Sequence, residues 1–211
     1  MYLYPSRRII HDHEGHATST GLNHRKLLMW AFLGSDCLFF GSFISTYMLY
    51  RGQGYITKDT PNPADTFNIP YTSVSAFVLL MSSLAMVLAL AAIQRNDVRR
   101  MRIWLMATAL LGMTFLGGQF YEFTGFYLYK GLSLHENIFG TTFFVLTGFH
   151  GAHVTIGVIW LVSIVVLSFW GKIRQENSLD VEIAGLYWHF VDIVWIIIFT
   201  FVYLVPYKPG V

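Results

Sequence analysis

The sequence predicts an all-α polytopic membrane protein, a bundle of five transmembrane helices. Three observations predict this fold class: five long apolar runs, a charged fraction of only 12%, and a mean hydropathy of +0.51. A helix needs about 20 apolar residues to cross a bilayer core. Backbone amides in hydrocarbon have no water to pair with, so runs of this length are predicted to be α-helical.

Each predicted span is an apolar segment bounded by polar or loop-forming residues. The spans, in chain order, are residues 27–50, 71–93, 103–123, 138–170 and 183–207. The first contains one charge, Asp36, the second contains none, and the third is uncharged except near its end. The fourth, at 33 residues, must tilt or extend beyond the hydrocarbon. The fifth is interrupted by His189 and Asp192. Residues 1–26 are predicted to form a polar tail, and residues 27–211 to form the bundle.

The distribution of Lys and Arg predicts the orientation of the bundle. Ten of these residues lie before the first span, between spans two and three, or between spans four and five, and four lie on the opposite side. The positive-inside bias therefore predicts a cytoplasmic N-terminus and a C-terminus outside. The net charge of +2 is too small to indicate nucleic-acid binding. The single cysteine excludes a disulfide framework.

Five ionisable residues are predicted to lie at similar depths in the membrane. They are Asp36, His150, His153, His189 and Asp192. The two histidines of span four are three residues apart, as are the histidine and aspartate of span five, so each pair shares a helix face. A charged carboxylate at the bilayer centre costs about 2.5–3.5 kcal/mol. Such groups are expected to face the bundle interior and to pair, for example Asp36 with a histidine of span four or five.

Several functions are compatible with these polar residues. The residues alone favour a satisfied polar network that holds the helices together and shapes a groove for lipids or a partner. A metal site is an alternative, because His-x-x-His and His-x-x-Asp each place two ligands on one helix face, and two histidines are enough to ligate a haem. A proton or ion path is a third alternative. Gln119 and Glu122, one turn apart near the outer end of span three, are a second set of candidates.

Two segments resemble the signature segments of subunit III of the haem–copper oxidases, the cytochrome c and quinol oxidases. They are Gly140–Gly157 (GTTFFVLTGFHGAHVTIG) and Tyr187–Trp195 (YWHFVDIVW). Further positions fit the same pattern, namely Met81–Ser83, Leu111, Gly112, Gln119 and Glu122. The similarity extends from about Leu27 to Pro206 with the helices in order. Family members commonly have seven helices, and this chain resembles the last five, as in the short bacterial forms.

The resemblance implies a role for the chain. It is expected to be a cofactor-free subunit, without a catalytic or metal site, of a holoenzyme that reduces O2 to water and pumps protons in a bacterial cell membrane. Haem and copper are expected on subunits I and II, with subunit I the main contact. The chain is expected to stabilise the catalytic subunit, bind structural phospholipids and support proton uptake. Membership of a respiratory supercomplex is compatible with this role.

The resemblance also assigns residues to this role. The lipid cleft or proton uptake is assigned to Asp36, His150, His153, His189 and Asp192, with Gln119 and Glu122 as second candidates. The family usually has Ser-Glu where this chain has Ser35-Asp36, so the carboxylate is one methylene shorter and its reach to His150 or another partner is reduced. Candidates for binding lipid phosphates at the cytoplasmic ends are Arg25, Lys26, Arg100 and Arg102.

Two other functional classes stay open. An accessory subunit of a nitric oxide reductase would share the fold. An independent channel or transporter is less favoured, because the spans show neither an inverted repeat nor a pair of broken helices.

Overall fold

The computed structural model describes residues 23–50, 69–129 and 138–205. Within these ranges the chain is helical apart from short connections, and no strand is present. Among the described residues, five helices are long and apolar enough to cross a membrane. This confirms the predicted all-α fold class with five spans. The orientation of the termini stays a prediction, and residues 1–22 of the predicted tail and 206–211 at the C-terminus lie outside the described residues.

The five helices begin and end close to the predicted spans. They are α1 (His24–Tyr50), α2 (Ile69–Gln94), α3 (Val98–Tyr129), α4 (Ile138–Phe169) and α5 (Ser178–Ile198). A 3-10 turn, Gln175–Asn177, precedes α5, and a π-helical segment, Phe199–Leu204, continues it. Helices α3 and α5 each begin five residues before the predicted span, because hydropathy marks the hydrocarbon whereas the helix continues into the polar boundary.

The turn between α2 and α3 stops one helix and starts the next within four residues. The amide of Asp97 donates to the carbonyl of Ala92 (2.9 Å) and that of Asn96 to the carbonyl of Ile93 (3.0 Å), which is the Schellman pattern. Asn96 has φ 60°, a conformation that asparagine tolerates better than most residues. The carboxylate of Asp97 then accepts from the amide of Arg100 (3.0 Å) and caps α3.

The C-terminal end of α4 is closed in the same way. Lys172 donates to the carbonyl of Leu167 and Gly171 to that of Ser168, both at 3.1 Å. Gly171 has φ 72°, which a glycine adopts without a steric penalty. Since both turns lie at the same end of an antiparallel bundle, they fix the register of α2 on α3 and of α4 on α5.

Helix α5 is the most buried helix of the bundle, and α1 is the least buried. In the most apolar stretch of each helix, 56% of the residues of the α5 span are buried inside the protein, compared with only 17% for α1. Helix α5 packs on α1, α2 and α4, whereas α1 packs on α4 and α5. The buried residues of α1 are Leu33, Asp36, Phe40 and Tyr47. Their spacing of three, four and seven places them on one narrow face, so Asp36 lies within the packed side of α1.

The indole of Trp188, on α5, lies at the centre of the bundle. It is 1% exposed and fits against Gly112 on α3 and Gly157 on α4. A Cβ atom at Gly112 would lie 2.6 Å from Cη2 of the indole, and one at Gly157 would lie 2.9 Å from Cε3. The indole N–H donates to Oγ of Ser82 on α2 (2.9 Å). One side chain thus joins four helices.

Candidate functional site within the helical bundle

Asp36 of α1 and His153 of α4 form an intramembrane pair. Oδ2 of Asp36 lies 3.3 Å from Nε2 of His153, and the two side chains are 12% and 16% exposed. Nδ1 of His153 lies 2.8 Å from the carbonyl oxygen of Phe149. A carbonyl oxygen only accepts, so Nδ1 carries a proton and donates. With Nδ1 engaged in this way, Nε2 is the ring nitrogen that faces the carboxyl group of Asp36.

Aromatic residues and a tyrosine hydroxyl surround this pair. The ring of Phe40 lies edge-on to that of His153, with centroids 5.0 Å apart. The hydroxyl of Tyr187, on α5, donates to the backbone carbonyl of His153 (3.0 Å). The ring of Tyr187 stacks at 6.4 Å on Phe32. The pair is therefore fixed by α1, α4 and α5 together, in a setting where most contacts are apolar.

His150 does not pair with Asp36. It is 0% exposed, and neither ring nitrogen has a hydrogen-bond partner among the residues that the structure describes. Its ring stacks on Trp195 of α5 (4.9 Å, 24°) and lies edge-on to Phe115 of α3 (5.9 Å). Residues three apart on a helix differ by about 60° around its axis. This rotation separates His150, which points into the core, from His153, which faces α1.

The pair predicted on α5 is divided in the same way. Nδ1 of His189 is hydrogen-bonded to Oγ of Ser83 on α2. Asp192 is 3% exposed, and neither carboxylate oxygen has a hydrogen-bond partner within the described part of the chain. The Ser83 hydroxyl faces Asp192 as well. A hydroxyl has one proton, so Ser83 cannot donate to both residues.

Gln119 and Glu122 connect α3 to two different neighbours. Nε2 of Gln119 donates to the carbonyl oxygen of Thr147 on α4 (2.8 Å). Oγ1 of Thr72 on α2 donates to Oε1 of Glu122 (2.6 Å). Both of these α3 side chains are less than one-tenth exposed. They are buried polar contacts between helices and do not adjoin the Asp36–His153 pair.

The four cations predicted to meet lipid phosphates each contact a residue of this chain. The contacts are Arg25–Asp180 (3.0 Å), Lys26–Glu182 (2.6 Å), Arg100–Asp97 (3.2 Å), and the Nε of Arg102 with Oγ of Ser168 (2.6 Å). The first two join the start of α1 to the start of α5, so they place these ends together. Arginine has five N–H donors and lysine three, so donors remain for a phosphate, and the lipid assignment stays a prediction.

Metal-binding geometry is absent from the described residues. No three His, Cys, Asp or Glu side chains in 23–50, 69–129 and 138–205 come together in a way that could hold a metal ion. Asp36 and His153 supply two such groups, and His150 is turned away from them. The arrangement is that of a polar contact between helices in an apolar setting.

Sequence reasoning missed the neutral partners of the site. On α2, Ser83 is hydrogen-bonded to His189 and Thr72 donates to Glu122. The hydroxyl of Tyr187 donates to the backbone carbonyl of His153. The available signal was the set of hydroxyl side chains in the uncharged second span, among them Thr72 and the adjacent pair Ser82 and Ser83. Hydroxyls in hydrocarbon seek partners on neighbouring helices.

The match to a protein family agrees with this bundle. The family model described as cytochrome c oxidase subunit III matches residues 6–207. The chain belongs to this family. The resemblance seen in the sequence is thereby confirmed, and the family together with five apolar helices identifies a bacterial multi-pass membrane protein.

Curated relatives match over nearly their whole length. The chain is similar to a cytochrome c oxidase subunit 3 of Alkalihalophilus pseudofirmus, 37% identical over 193 residues that cover 92% of each protein. It is also similar to a probable quinol oxidase subunit 3 of Staphylococcus saprophyticus, 35% identical over 195 residues and 92% of each protein. A cytochrome c oxidase subunit 3 of Bacillus sp. (strain PS3) is 35% identical over 191 residues, which cover 90% of each protein.

Proposed function

We propose that this chain acts as a cofactor-free subunit III of a respiratory haem–copper oxidase that reduces O2 to water and pumps protons. The observation that carries the proposal is the family match over residues 6–207, with relatives named as subunits of cytochrome c and quinol oxidases. In this proposal haem and copper reside on subunits I and II, and subunit I is the main contact.

The outer surface of the bundle supports association with lipids and other subunits. Large apolar side chains are strongly exposed on α1 and α3, for example Leu38 (79%), Phe120 (75%) and Leu28 (70%). Such a surface is stable only when hydrocarbon or another protein covers it. Structural phospholipids and the catalytic subunit are the coverings that this function requires.

The Asp36–His153 pair is the part of the site that best fits a proton-related or lipid-related role. Its carboxyl oxygen and imidazole nitrogen lie 3.3 Å apart at the junction of α1 and α4, and both side chains keep a small exposed fraction. A buried group that can hold a proton is costly in hydrocarbon and is commonly functional. We assign to this pair the support of proton uptake and of lipid binding by the holoenzyme.

The first experiment is purification of the native complex through a tag on this chain. The expected result is co-purification of subunits that contain haem and copper, with O2 consumption by the complex. After separation, the chain itself should show no Soret band and no stoichiometric metal. Reduction of NO without O2 consumption would favour the nitric oxide reductase alternative, and ion flux through the isolated chain in liposomes would favour a channel.

The role of the pair is tested by Asp36→Asn in the complete complex. We expect intact assembly, with fewer retained phospholipids or a shorter lifetime of activity during turnover. Glu176→Gln is the matched control, because it also replaces a carboxylate by a carboxamide, at an exposed residue that lies outside the polar pair and is not an ion-pair partner of the four candidate cations. Unchanged lipid content and turnover lifetime in Asp36→Asn would remove the proposed role of the pair.

A further inference from the structure

A small cavity between α2 and α5 is lined by two residues whose buried polar groups have no hydrogen-bond partner among the described residues. It is lined by Ala76, Leu79, Leu80, Asp192, Trp195 and Ile196, and its volume is about 10 Å³. Asp192 and Trp195 are each 3% exposed. Neither carboxylate oxygen of Asp192 nor the indole Nε1 of Trp195 makes a hydrogen bond to any described part of the chain.

These two groups have complementary hydrogen-bonding capacity. The indole N–H only donates, and a carboxylate oxygen accepts. A buried polar group left without a hydrogen bond destabilises the folded state, and two such groups lie on the same short stretch of α5. Both side chains line the same cavity.

We propose that this cavity is a binding site for a single water molecule that bridges Asp192 and Trp195. The water accepts from the indole N–H and donates to the carboxyl group of Asp192. A cavity needs roughly 10–15 Å³ to hold one water, and buried waters typically make about three hydrogen bonds. The volume therefore admits one water and leaves no room for an ammonium group with its stem, a lipid headgroup or a metal ion with its own water ligands.

The remaining hydrogen bond of the water is available at the second oxygen of Asp192 or at the nearby Ser83 hydroxyl. Ser83 is already bonded to Nδ1 of His189. Through the carboxyl group of Asp192, which the Ser83 hydroxyl faces, the water site adjoins the Ser83–His189 contact between α2 and α5. Leu80 and Ile196, which also line the cavity, are 46% and 48% exposed, so the cavity lies close to the outer surface of the bundle.

The test is a cryo-electron microscopy map of the complete oxidase complex, at a resolution that shows other buried waters. We expect a density peak about 2.7–3.2 Å from both Nε1 of Trp195 and a carboxylate oxygen of Asp192. The wild-type map decides the question even if every variant fails to assemble. A map without this peak, one with Ser83 bonded directly to Asp192 and no water, or one with a partner side chain in the cavity would overturn the proposal.

Variants separate the two anchors of the water. Trp195→Phe keeps most of the ring but removes the N–H, so the peak should be lost or much weakened. Asp192→Asn keeps an acceptor at the same position, so the peak should remain. Trp160→Phe on α4, whose ring contacts Tyr187 at 5.7 Å and does not line the cavity, is the matched control and should leave the peak unchanged. A peak that survives in Trp195→Phe at full strength would contradict the bridging role.

Discussion

Replacing Gly112 by alanine is expected to destabilise the bundle through one specific overlap. The added Cβ atom would lie 2.6 Å from Cη2 of Trp188 and 3.0 Å from Cγ2 of Val158. Carbon atoms in favourable contact are about 3.5–4.0 Å apart, so the overlap with the indole is about 1 Å. The indole cannot move toward α4 to relieve it, because Gly157 already approaches the opposite edge of the ring.

The magnitude follows from what the indole must give up. Overpacking of a well-packed core costs about 1–3 kcal/mol. If the ring shifts away from Ser82, the loss of its 2.9 Å hydrogen bond adds about 1 kcal/mol. Alanine favours a helix over glycine by up to about 1 kcal/mol, which offsets part of this cost. We therefore expect Gly112→Ala to lower the free energy of unfolding by about 1–3 kcal/mol.

The assay is thermal unfolding of the chain within the purified complex in nanodiscs. A change of 1 kcal/mol corresponds to about 2–4 °C in the melting temperature of a domain of 150–250 residues, so a fall of several degrees is expected. Gly117→Ala is the matched control on the same helix, since a Cβ there meets none of the described atoms within 4 Å. Equal melting temperatures for the two variants would refute the overlap. A partial rescue of Gly112→Ala by Trp188→Phe would support it.

Three further predictions concern polar contacts. In double-mutant cycles on the free energy of unfolding, Asp36→Asn should couple to His153→Gln by about 0.5–3 kcal/mol and should show no coupling to His150→Gln. Coupling to His150→Gln without coupling to His153→Gln would contradict the Asp36–His153 pairing. Thr72→Val removes the hydroxyl that donates to the buried carboxylate of α3, and should lower the free energy of unfolding in a thermal or denaturant assay by about 1–3 kcal/mol. Lys26→Met breaks the ion pair with Glu182, whose two side chains are about one-third exposed. Loss of this pair should therefore change the free energy of unfolding by less than about 1 kcal/mol. A larger effect of the Lys26 change would mean that the pair is desolvated by lipid or a partner.

The number and type of helices could be predicted because one physical constraint dominates. Apolar length and the need to satisfy backbone hydrogen bonds leave only helices in hydrocarbon. The ends of the helices could not be predicted from hydropathy, because capping residues determine them. The carboxamide of Asn23 accepts from the amide of Arg25 (3.0 Å) and starts α1 inside the predicted tail. Asp97 does the same for α3.

The sequence could not predict which of the two histidines of α4 pairs with Asp36. Spacing alone places His150 and His153 on one side of the helix, and either could have faced Asp36. Their 60° difference around the axis matters only once the rotation of α4 against α1 is known. The bulky partners of His150, Phe115 and Trp195, come from α3 and α5, so three helices together determine which histidine is paired.

Most interfaces between helices contain at least one polar contact between side chains or between a side chain and the backbone. These contacts are Asp36–His153 for α1–α4, Thr72–Glu122 for α2–α3, Ser83–His189 for α2–α5, Gln119–Thr147 for α3–α4 and Tyr187–His153 for α4–α5. Between apolar helices in lipid there is little hydrophobic drive to associate, so close packing and such hydrogen bonds determine the pairing. Helix α1 has the smallest packed face, and Asp36 lies on it. Loss of the Asp36–His153 contact should therefore loosen α1 from an otherwise intact four-helix unit, whereas loss of the Trp188 packing should weaken all four helices that the indole joins.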